Sequence, residues 1–294
     1  MSAAEKDGAL VCQTCPRRCR LAPGALGACG ARRNAGGTIV ADNYGRVTSL
    51  ALDPIEKKPL ALYLPGTLVV SVGSYGCNLT CPFCQNWEIS QAGEKDVRWR
   101  TVMPDELVAA TLEARRSRPE VAGIAYTYNE PLVGWEYVRD CAELARDAGL
   151  VNVLVSNGCF EQGVLDALDG LVDAANIDLK GFSDAFYATC GGAPRSLACA
   201  RDTIERLAAD PRFHLEVTTL VVPGMNDGEA EMEELAGWLA GLDGGRGRET
   251  LTHHVTRFFP RWRLTDRSPT PVADVYRLAD VSRRHLDHVF VGNC

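Results

Sequence analysis

The chain has 294 residues, of which 46% are hydrophobic and 23% are charged, enough for one α/β barrel with small additions or for two modest domains. The net charge of −7 gives no basic footprint for nucleic acid or an anionic membrane. No apolar run approaches the ~20 residues that a membrane helix needs, and residues 1–10 lack the apolar core of a signal peptide, so we expect a cytoplasmic protein.

Residues 1–66 begin as a cysteine-, arginine- and glycine-rich segment and end in a stretch punctuated by prolines. We expect a compact metal-binding knuckle, then a short hairpin formed by residues 37–40 and 47–50. Residues 51–66 are interpreted as a linker to the main domain. The sequence therefore predicts a small N-terminal domain over residues 1–66 and a larger domain over residues 67–294.

In the larger domain, short apolar runs alternate with amphipathic stretches of helical period. The predicted strands are 68–74, 123–128, 150–156, 174–180, 214–222, 251–258 and 288–292. The predicted helices are 104–117, 135–148, 162–168, 197–209, 229–242 and 272–286. A strand followed by a helix, repeated about six times, indicates a parallel sheet with right-handed crossovers. We therefore expect an α/β fold, a partial or complete (β/α) barrel whose chemistry gathers at the C-terminal ends of the strands.

Twelve cysteines are the most unusual part of the composition. Clustered cysteines in an intracellular chain of this length indicate metal or redox chemistry, whereas scattered ones are typical of the core. Seven of the twelve form two groups: Cys12, Cys15, Cys19 and Cys29, and Cys77, Cys81 and Cys84.

The second group has the spacing C-x3-C-x2-C and directly follows the first predicted strand of the barrel. Three thiolates can hold three corners of a [4Fe–4S] cube and leave the fourth iron open to a small molecule, whereas electron-transfer clusters commonly use four cysteines. The alternatives are chance spacing and a zinc site. A zinc site would need a fourth ligand, and no histidine lies near in the sequence.

This motif, with Phe83 at its aromatic position, resembles that of the radical SAM superfamily. The segments DPIEKKPL, CNLTCPFCQN, YTYNEP, NIDLKGF and HHVTRFFP look like those of AmmeMemoRadiSam-system radical SAM enzymes, relatives of the pyruvate formate-lyase activating enzymes. The resemblance implies that S-adenosylmethionine (SAM) chelates the open iron of a [4Fe–4S] cluster. It also implies that reductive cleavage of SAM gives a 5′-deoxyadenosyl radical, which abstracts a hydrogen atom from a substrate.

The resemblance also implies partners. A flavodoxin or ferredoxin would donate the electron, and Memo-like and AMMECR-type proteins are candidate companions. Two departures from the family are visible: Cys159 stands where the family commonly has tyrosine, and the printed sequence ends at Cys294, where the family commonly continues into a cysteine-rich tail.

Polar residues after the second and third predicted strands are candidates for contacts to SAM. We expect Asn129 and Glu130 to accept hydrogen bonds from its ammonium group, in place of the family's G-G-E-P element. Ser156 and Asn157 suit its carboxylate or ribose. The alternatives are a polar helix cap for the first pair and ordinary turn chemistry for the second.

Two later strands add candidates. Asp178 and Lys180 end the fourth strand and suit either a cofactor carboxylate or a structural ion pair. On the sixth strand, only one of His253 and His254 can face inward, because successive residues face opposite sides. We assign His254 to the cofactor set, with a core or surface role as the alternative.

The N-terminal cysteines, spaced C-x2-C-x3-C and followed by Cys29, suit zinc or an auxiliary [4Fe–4S] cluster, because both take four thiolates. A disordered, redox-sensitive tail is the alternative, although so small a segment needs a staple to fold.

Three functions remain open from the sequence. The first is a radical SAM enzyme with an unidentified substrate, and the second is an activase that takes hydrogen from a glycine of a glycyl radical enzyme. The third belongs to another class: a non-catalytic, zinc-binding interaction protein.

Overall fold

A computed structural model describes residues 8–294. Residues 1–7 lie outside this range. They make up most of residues 1–10, for which the sequence predicts no signal peptide. In the described part of the chain, no helix has the length and apolar character needed to cross a membrane.

The helices and strands alternate over most of the chain. The strands are Leu10–Val11 (β1), Arg20–Leu21 (β2), Arg32–Ala35 (β3), Thr38–Ala41 (β4), Arg46–Val47 (β5), Ser49–Pro54 (β6), Leu68–Gly73 (β7), Arg100–Thr101 (β8), Val121–Tyr126 (β9), Val151–Ser156 (β10), Ala174–Asp178 (β11), His214–Val221 (β12), Thr252–Arg257 (β13) and His288–Gly292 (β14). The α-helices are Trp87–Ser90 (α1), Pro104–Ser117 (α2), Trp135–Asp147 (α3), Gln162–Asp166 (α4), Asp184–Thr189 (α5), Ser196–Ala208 (α6), Glu229–Gly241 (α7), Gly247–Thr250 (α8) and Val272–Arg283 (α9).

Within residues 8–294, one eight-stranded sheet dominates, in the order β14-β13-β12-β11-β10-β9-β7-β6. The strands from β7 to β14 in this sheet are parallel, and β6 pairs antiparallel with β7. The sheet is open, because β6 and β14 do not pair with each other. The predicted parallel α/β sheet is confirmed, and the barrel is partial rather than complete.

Alternation along the strands divides the sheet into two faces. On the outer face, Ile124, Leu154 and Ile177 are buried in the main core together with helix residues such as Ala142 and Ile204. Burying one apolar stripe of each helix against this face supplies most of the helical stability. The inner face carries smaller and more polar side chains, which leaves room inside the curved sheet.

The N-terminal hairpin differs from the prediction. Strand β3 pairs with β4, with Ala35 opposite Thr38, so the turn is Gly36-Gly37. Both glycines have positive φ angles, 60° and 84°, which a two-residue hairpin turn favours. The predicted partner strand, residues 47–50, instead enters β5 and β6.

The segment interpreted as a linker is also structured. Strand β6 covers its first residues, and Ile55 and Leu60, both fully buried, then pack on inward-facing residues such as Val69, Ala125 and Val153. This segment closes the N-terminal end of the partial barrel, which we call the floor. The division of the chain at residue 66 stays a prediction.

Glu216 is the polar centre of the floor. Its carboxylate accepts hydrogen bonds from the backbone N–H groups of Ala61 and Leu62, both at 2.9 Å, and contacts the Nε2 atoms of His214 and His254 at 2.8 and 2.6 Å. Although burial opposes ionisation, these groups lower the pKa of Glu216 to about 2.

This network also contains His254, one of the residues predicted to contact the cofactor. Its ring faces inward, as alternation requires, but it bonds to Glu216 and stacks on Phe290 at 5.6 Å. It does not line the cavity described below. His253 faces the helices and bonds to Ser282 and Thr219. These contacts fit the core role that was the alternative for His254, and its assignment to the cofactor set stays a prediction.

We expect Glu216→Gln to lower the free energy of unfolding by about 2–4 kcal/mol at neutral pH, because an amide repels some of the buried donors. The folded-state pKa is depressed, so this stabilisation is complete above the ordinary carboxyl pKa and is lost as the pH falls towards 2. Urea unfolding at neutral pH and at about pH 4 should show a smaller difference in acid. The exposed Glu113→Gln variant is the control, and equal midpoints for Glu216→Gln and wild type would contradict the assignment.

Candidate active site

A cavity of about 440 Å³ opens at the C-terminal ends of the parallel strands, a size in the range of ligand pockets. Its lining runs from Cys77, after β7, to Asn293, after β14. Neighbouring strands lie about 4.8 Å apart, so these residues can share one cavity only because the sheet curves. Predicted site residues that line it are Cys77, Cys81, Phe83, Cys84, Asn129, Glu130, Ser156, Asn157, Asp178 and Lys180.

The three cysteines of the central motif lie on one loop between β7 and α1 and are free thiols. The backbone N–H of Leu79 donates to Cys77 Sγ at 3.4 Å, and Cys84 Sγ shares a hydrogen bond with Ser90 Oγ at 3.2 Å. Burial raises the pKa of both Cys77 and Cys84. Hydrogen bonds to sulfur of this kind tune thiolate ligands in iron–sulfur sites.

Asn129 fastens this loop to the end of β9. Its Oδ1 accepts from the backbone N–H of Ser74 at 2.9 Å, and its Nδ2 donates to the carbonyls of Tyr75 and Gly76 at 3.2 and 3.1 Å. The side-chain amide is thus engaged by the cysteine loop. Asn129 borders the cavity, and its predicted contact to SAM stays a prediction.

Glu130 is 3% exposed and holds the next strand end in place. It accepts from Ser156 Oγ at 2.9 Å and from the backbone N–H groups of Asn157 and Leu132 at 2.8 and 3.1 Å. Burial raises its pKa to about 7, against the opposing effect of the Asn157 and Leu132 amides. The structure therefore joins the predicted residues after β9 and β10 into one network.

Asn157 reaches the cysteine loop itself. Its Nδ2 donates to Asn78 Oδ1 at 2.8 Å and lies 3.8 Å from Cys77 Sγ. Asn78 in turn donates to the carbonyl of Cys159 at 2.8 Å. The residue that departs from the family, Cys159, is fully buried and lies beneath the loop rather than in the cavity lining.

Phe83 anchors the loop from below and also borders the cavity. It is 4% exposed, stacks on Phe186 at 6.1 Å and meets Phe258 edge-on at 6.4 Å. The carbonyl of neighbouring Pro82 accepts from the backbone N–H of Arg263 at 2.9 Å. The loop is therefore held on several sides.

Asp178 and Lys180 form an ion pair at 2.8 Å on the cavity wall. Asn176 supports the carboxylate with a 3.0 Å hydrogen bond. Although burial opposes the charged form, Asp178 raises the pKa of Lys180. The ion pair that the sequence analysis allowed is present, and a contact with a cofactor carboxylate stays a prediction.

Sequence reasoning missed one part of the wall. Lys58 lies on the cavity, and its Nζ bonds to Asp53 at 2.8 Å and lies 4.8 Å from the centre of the Tyr128 ring. Although burial opposes ionisation, hydrogen bonds from Lys58 and Tyr128 lower the pKa of Asp53 to about 2. The sequence signal for Lys58 is the segment DPIEKKPL, in which it stands and which carries part of the resemblance to the family.

The N-terminal cysteines line a second, smaller cavity that contains Cys12, Cys15, Cys19 and Cys29. Burial raises the pKa of Cys15 to about 12, against the opposing effect of the nearby backbone N–H of Arg17. The structure therefore places the four predicted ligands around one cavity, and metal binding there stays a prediction.

Among residues 8–294, no three His, Cys, Asp or Glu side chains are already spaced to hold a single metal ion. The donor set at the large cavity is nevertheless that of an iron–sulfur cluster, because such clusters are bound by cysteine thiolates. Free thiols of one loop, with N–H and O–H groups at two sulfurs and open space beside them, fit such a cluster. Cys77, Cys81 and Cys84 are the residues that would hold it.

The family model for the radical SAM superfamily matches residues 71–237, more than half of the chain and the part that carries the cysteine loop. The chain belongs to the radical SAM superfamily. Radical SAM proteins use a [4Fe–4S] cluster and SAM, which confirms these two predicted cofactors; the metal at the N-terminal cysteines stays a prediction.

Relatives agree with this membership. The chain is 38% identical over 288 residues to an uncharacterized protein of Methanocaldococcus jannaschii, an alignment that covers 98% of this chain and 82% of the relative. A radical SAM methyltransferase from Sphaerobacter thermophilus has a similar fold, with a TM-score of 0.57 and 18% identity over 77% of this chain. The match covers 66% of the methyltransferase, so the present chain spans slightly less than two thirds of its length. QueE from Escherichia coli has a TM-score of 0.51 and 14% identity over 85% of this chain and 93% of that chain. These structural likenesses concern the fold.

Proposed function

We propose that this protein is an enzyme that reductively cleaves SAM and uses the resulting 5′-deoxyadenosyl radical to take a hydrogen atom from a substrate held in the large cavity. The observation that carries the proposal is the position of Cys77, Cys81 and Cys84 in the wall of one cavity with the polar strand ends. When bound, the cluster supplies the electron that breaks the sulfonium bond of SAM.

The residues of this chain bind and orient the reactants. The network of Glu130, Ser156 and Asn157 holds two strand ends in one geometry, and Asn157 also reaches the cysteine loop. Fixed geometry of this kind lowers the entropic cost of bringing reacting groups together. The ion pair of Asp178 and Lys180 presents both charges to the cavity, which suits a zwitterionic ligand such as SAM.

We assign the enzyme to the AmmeMemoRadiSam branch and to an activase-like, oxidoreductase type of chemistry. The support is the combination of DPIEKKPL with CNLTCPFCQN. On this assignment the enzyme acts in the cytoplasm, takes its electron from a flavodoxin or ferredoxin, and has Memo-like and AMMECR-type proteins as companions. Genes for these companions beside this one would favour the assignment, whereas a neighbouring gene for a glycyl radical enzyme would favour the activase alternative.

The test is to purify the protein without oxygen, reconstitute it with iron and sulfide, and incubate it with SAM and dithionite. The expected result is a brown protein that forms 5′-deoxyadenosine, measured by liquid chromatography. A colourless protein that contains zinc, no acid-labile sulfide and no SAM-cleaving activity would overturn the proposal in favour of a non-catalytic zinc protein.

A further inference from the structure

The four N-terminal thiols line one small cavity. Cys12, Cys15 and Cys29 are at most 9% exposed, and Cys19 is partly exposed. The cavity between them has a volume of about 10 Å³. The sulfurs come from the β1–β2 turn and from the loop before β3, so the chain folds back to bring them together.

Backbone N–H groups lie near two of the four sulfurs. That of Arg17 favours the thiolate form of Cys15, and those of Ala31 and Arg32 favour the thiolate form of Cys29. Backbone donors of this kind stabilise metal-bound thiolates.

Arg32 supplies an independent observation. Its side chain borders the cavity and is 6% exposed. One of its nitrogens bonds to Glu136 at 2.6 Å, but its buried Nε finds no hydrogen-bond partner within residues 8–294. A buried N–H donor without a partner is costly, although Glu136 already balances the charge of the guanidinium. A metal-bound thiolate at the cavity that Arg32 borders would offer this donor an acceptor.

The segment that carries the four N-terminal cysteines, residues 12–29, contacts the loop of Cys77, Cys81 and Cys84; we call this segment the knuckle. The backbone N–H of Cys77 donates to the carbonyl of Cys29 at 3.2 Å. Gly76, with a φ angle of 92°, packs so closely that an added Cβ would lie 2.5 Å from the same carbonyl. Arg17 donates to the carbonyl of Asn78 at 3.4 Å. The two cysteine groups are therefore mechanically joined.

We propose that Cys12, Cys15, Cys19 and Cys29 bind a four-thiolate metal centre, and that this centre anchors the loop of Cys77, Cys81 and Cys84. Zinc and a [4Fe–4S] cluster share the same ligand chemistry, since both are held by four thiolates. The small segment lacks a large core of its own, so a bound metal supplies the cross-link that fixes it. The proposal does not depend on the reaction catalysed at the large cavity.

The first test measures metal binding in a variant whose cysteine loop at the large cavity can no longer hold a cluster. The full chain carrying Cys77→Ser, Cys81→Ser and Cys84→Ser is purified without oxygen, and its zinc, iron and sulfide are counted. The expected result is about one zinc per chain without sulfide, or about four irons with matching sulfide. The first outcome identifies zinc and the second a cluster, whereas retention of neither metal would overturn the proposal.

A second set of variants assigns the ligands. In the same triple background, Cys19→Ser should lose the metal, and Cys19 is the least buried of the four, so its replacement disturbs packing least. The control is Cys141→Ser, a buried thiol on α3 that should retain the metal. Equal metal content in the two variants would overturn the assignment, and circular dichroism confirms that both are folded.

The anchoring claim has its own readout. In the otherwise wild-type chain, Cys19→Ser should raise the rate of amide hydrogen exchange in the peptide that contains Cys77 by about tenfold, because its N–H bonds to the knuckle. Cys141→Ser should leave that rate unchanged. If the metal is lost but the exchange of this peptide is unaltered, the anchoring claim is wrong.

Discussion

Cys81→Ala is expected to abolish formation of 5′-deoxyadenosine from SAM and dithionite. Cys81 is one of three thiols on the loop at the cavity wall, and two remaining thiolates cannot hold the cube in a defined geometry. Changes to partners of metal ligands already cost about 10- to 100-fold in activity or metal affinity, so loss of a ligand should cost more than about 100-fold. The measurement is 5′-deoxyadenosine per minute, together with iron and sulfide content.

The matched control is Cys141→Ala. Cys141 is also a buried thiol, fully enclosed against the core on α3, but it lies outside both cysteine groups. It should retain the cluster absorbance and most of the activity. Wild-type rates in Cys81→Ala, or equal losses in the two variants, would refute the role of the loop.

Glu130→Gln is expected to weaken SAM binding by about 10- to 100-fold, on the order of the loss of one charged hydrogen-bond acceptor in a buried site. Glutamine has nearly the same shape, but its amide nitrogen is a donor. It would oppose either the N–H of Asn157 or the donors Ser156 and Leu132, all of which now bond to the carboxylate. The KM for SAM and equilibrium dialysis with SAM measure the effect.

A stability measurement separates binding from folding. The same substitution should lower the free energy of unfolding by about 1–3 kcal/mol, because buried donors are left unpaired. Glu143→Gln, on the exposed face of α3, serves as the control and should change neither quantity. If Glu130→Gln loses stability while its affinity for SAM equals that of wild type, Glu130 has a structural role only.

The longer helices and strands of the larger domain could be predicted from the spacing of apolar residues and from the residues that mark helix starts and ends. Helix α2 occupies Pro104–Ser117, as predicted, because proline suits the first helical turn and the apolar positions recur at helical spacing. Helix α3 ends before Gly149, whose φ angle of 68° continues the chain in the left-handed region that favours glycine. Short elements such as α5, Asp184–Thr189, are too brief to show a period.

The N-terminal errors have a local cause. The Gly36-Gly37 turn was itself a hairpin signal, but the flanking residues Arg32–Ala35 are largely polar and do not read as a strand. Strands β6 and β7 pair with each other although the residues of the floor lie between them in the sequence. Nothing in the proline-rich segment of residues 51–66 indicates that its backbone amides bond to Glu216.

At the candidate site, the sequence predicted which strand ends matter but not how their side chains are used. Asn129 and Asn157 fall beside the cavity as expected, because the C-terminal ends of parallel strands meet at one edge. Their hydrogen bonds to the cysteine loop join residues more than fifty positions apart, which a linear pattern cannot reveal. For His254, alternation gave the direction of the ring but not its partner, Glu216.

The floor has a consequence for molecular traffic. Among residues 8–294, Ile55 and Leu60 pack against the inner face of the sheet, and Glu216 bonds to the backbone N–H groups of Ala61 and Leu62. The described part of the chain therefore fills the N-terminal end of the partial barrel with side chains. Ligands that enter from the C-terminal ends of the strands would then meet the packed residues 55–62 at the bottom of the cavity.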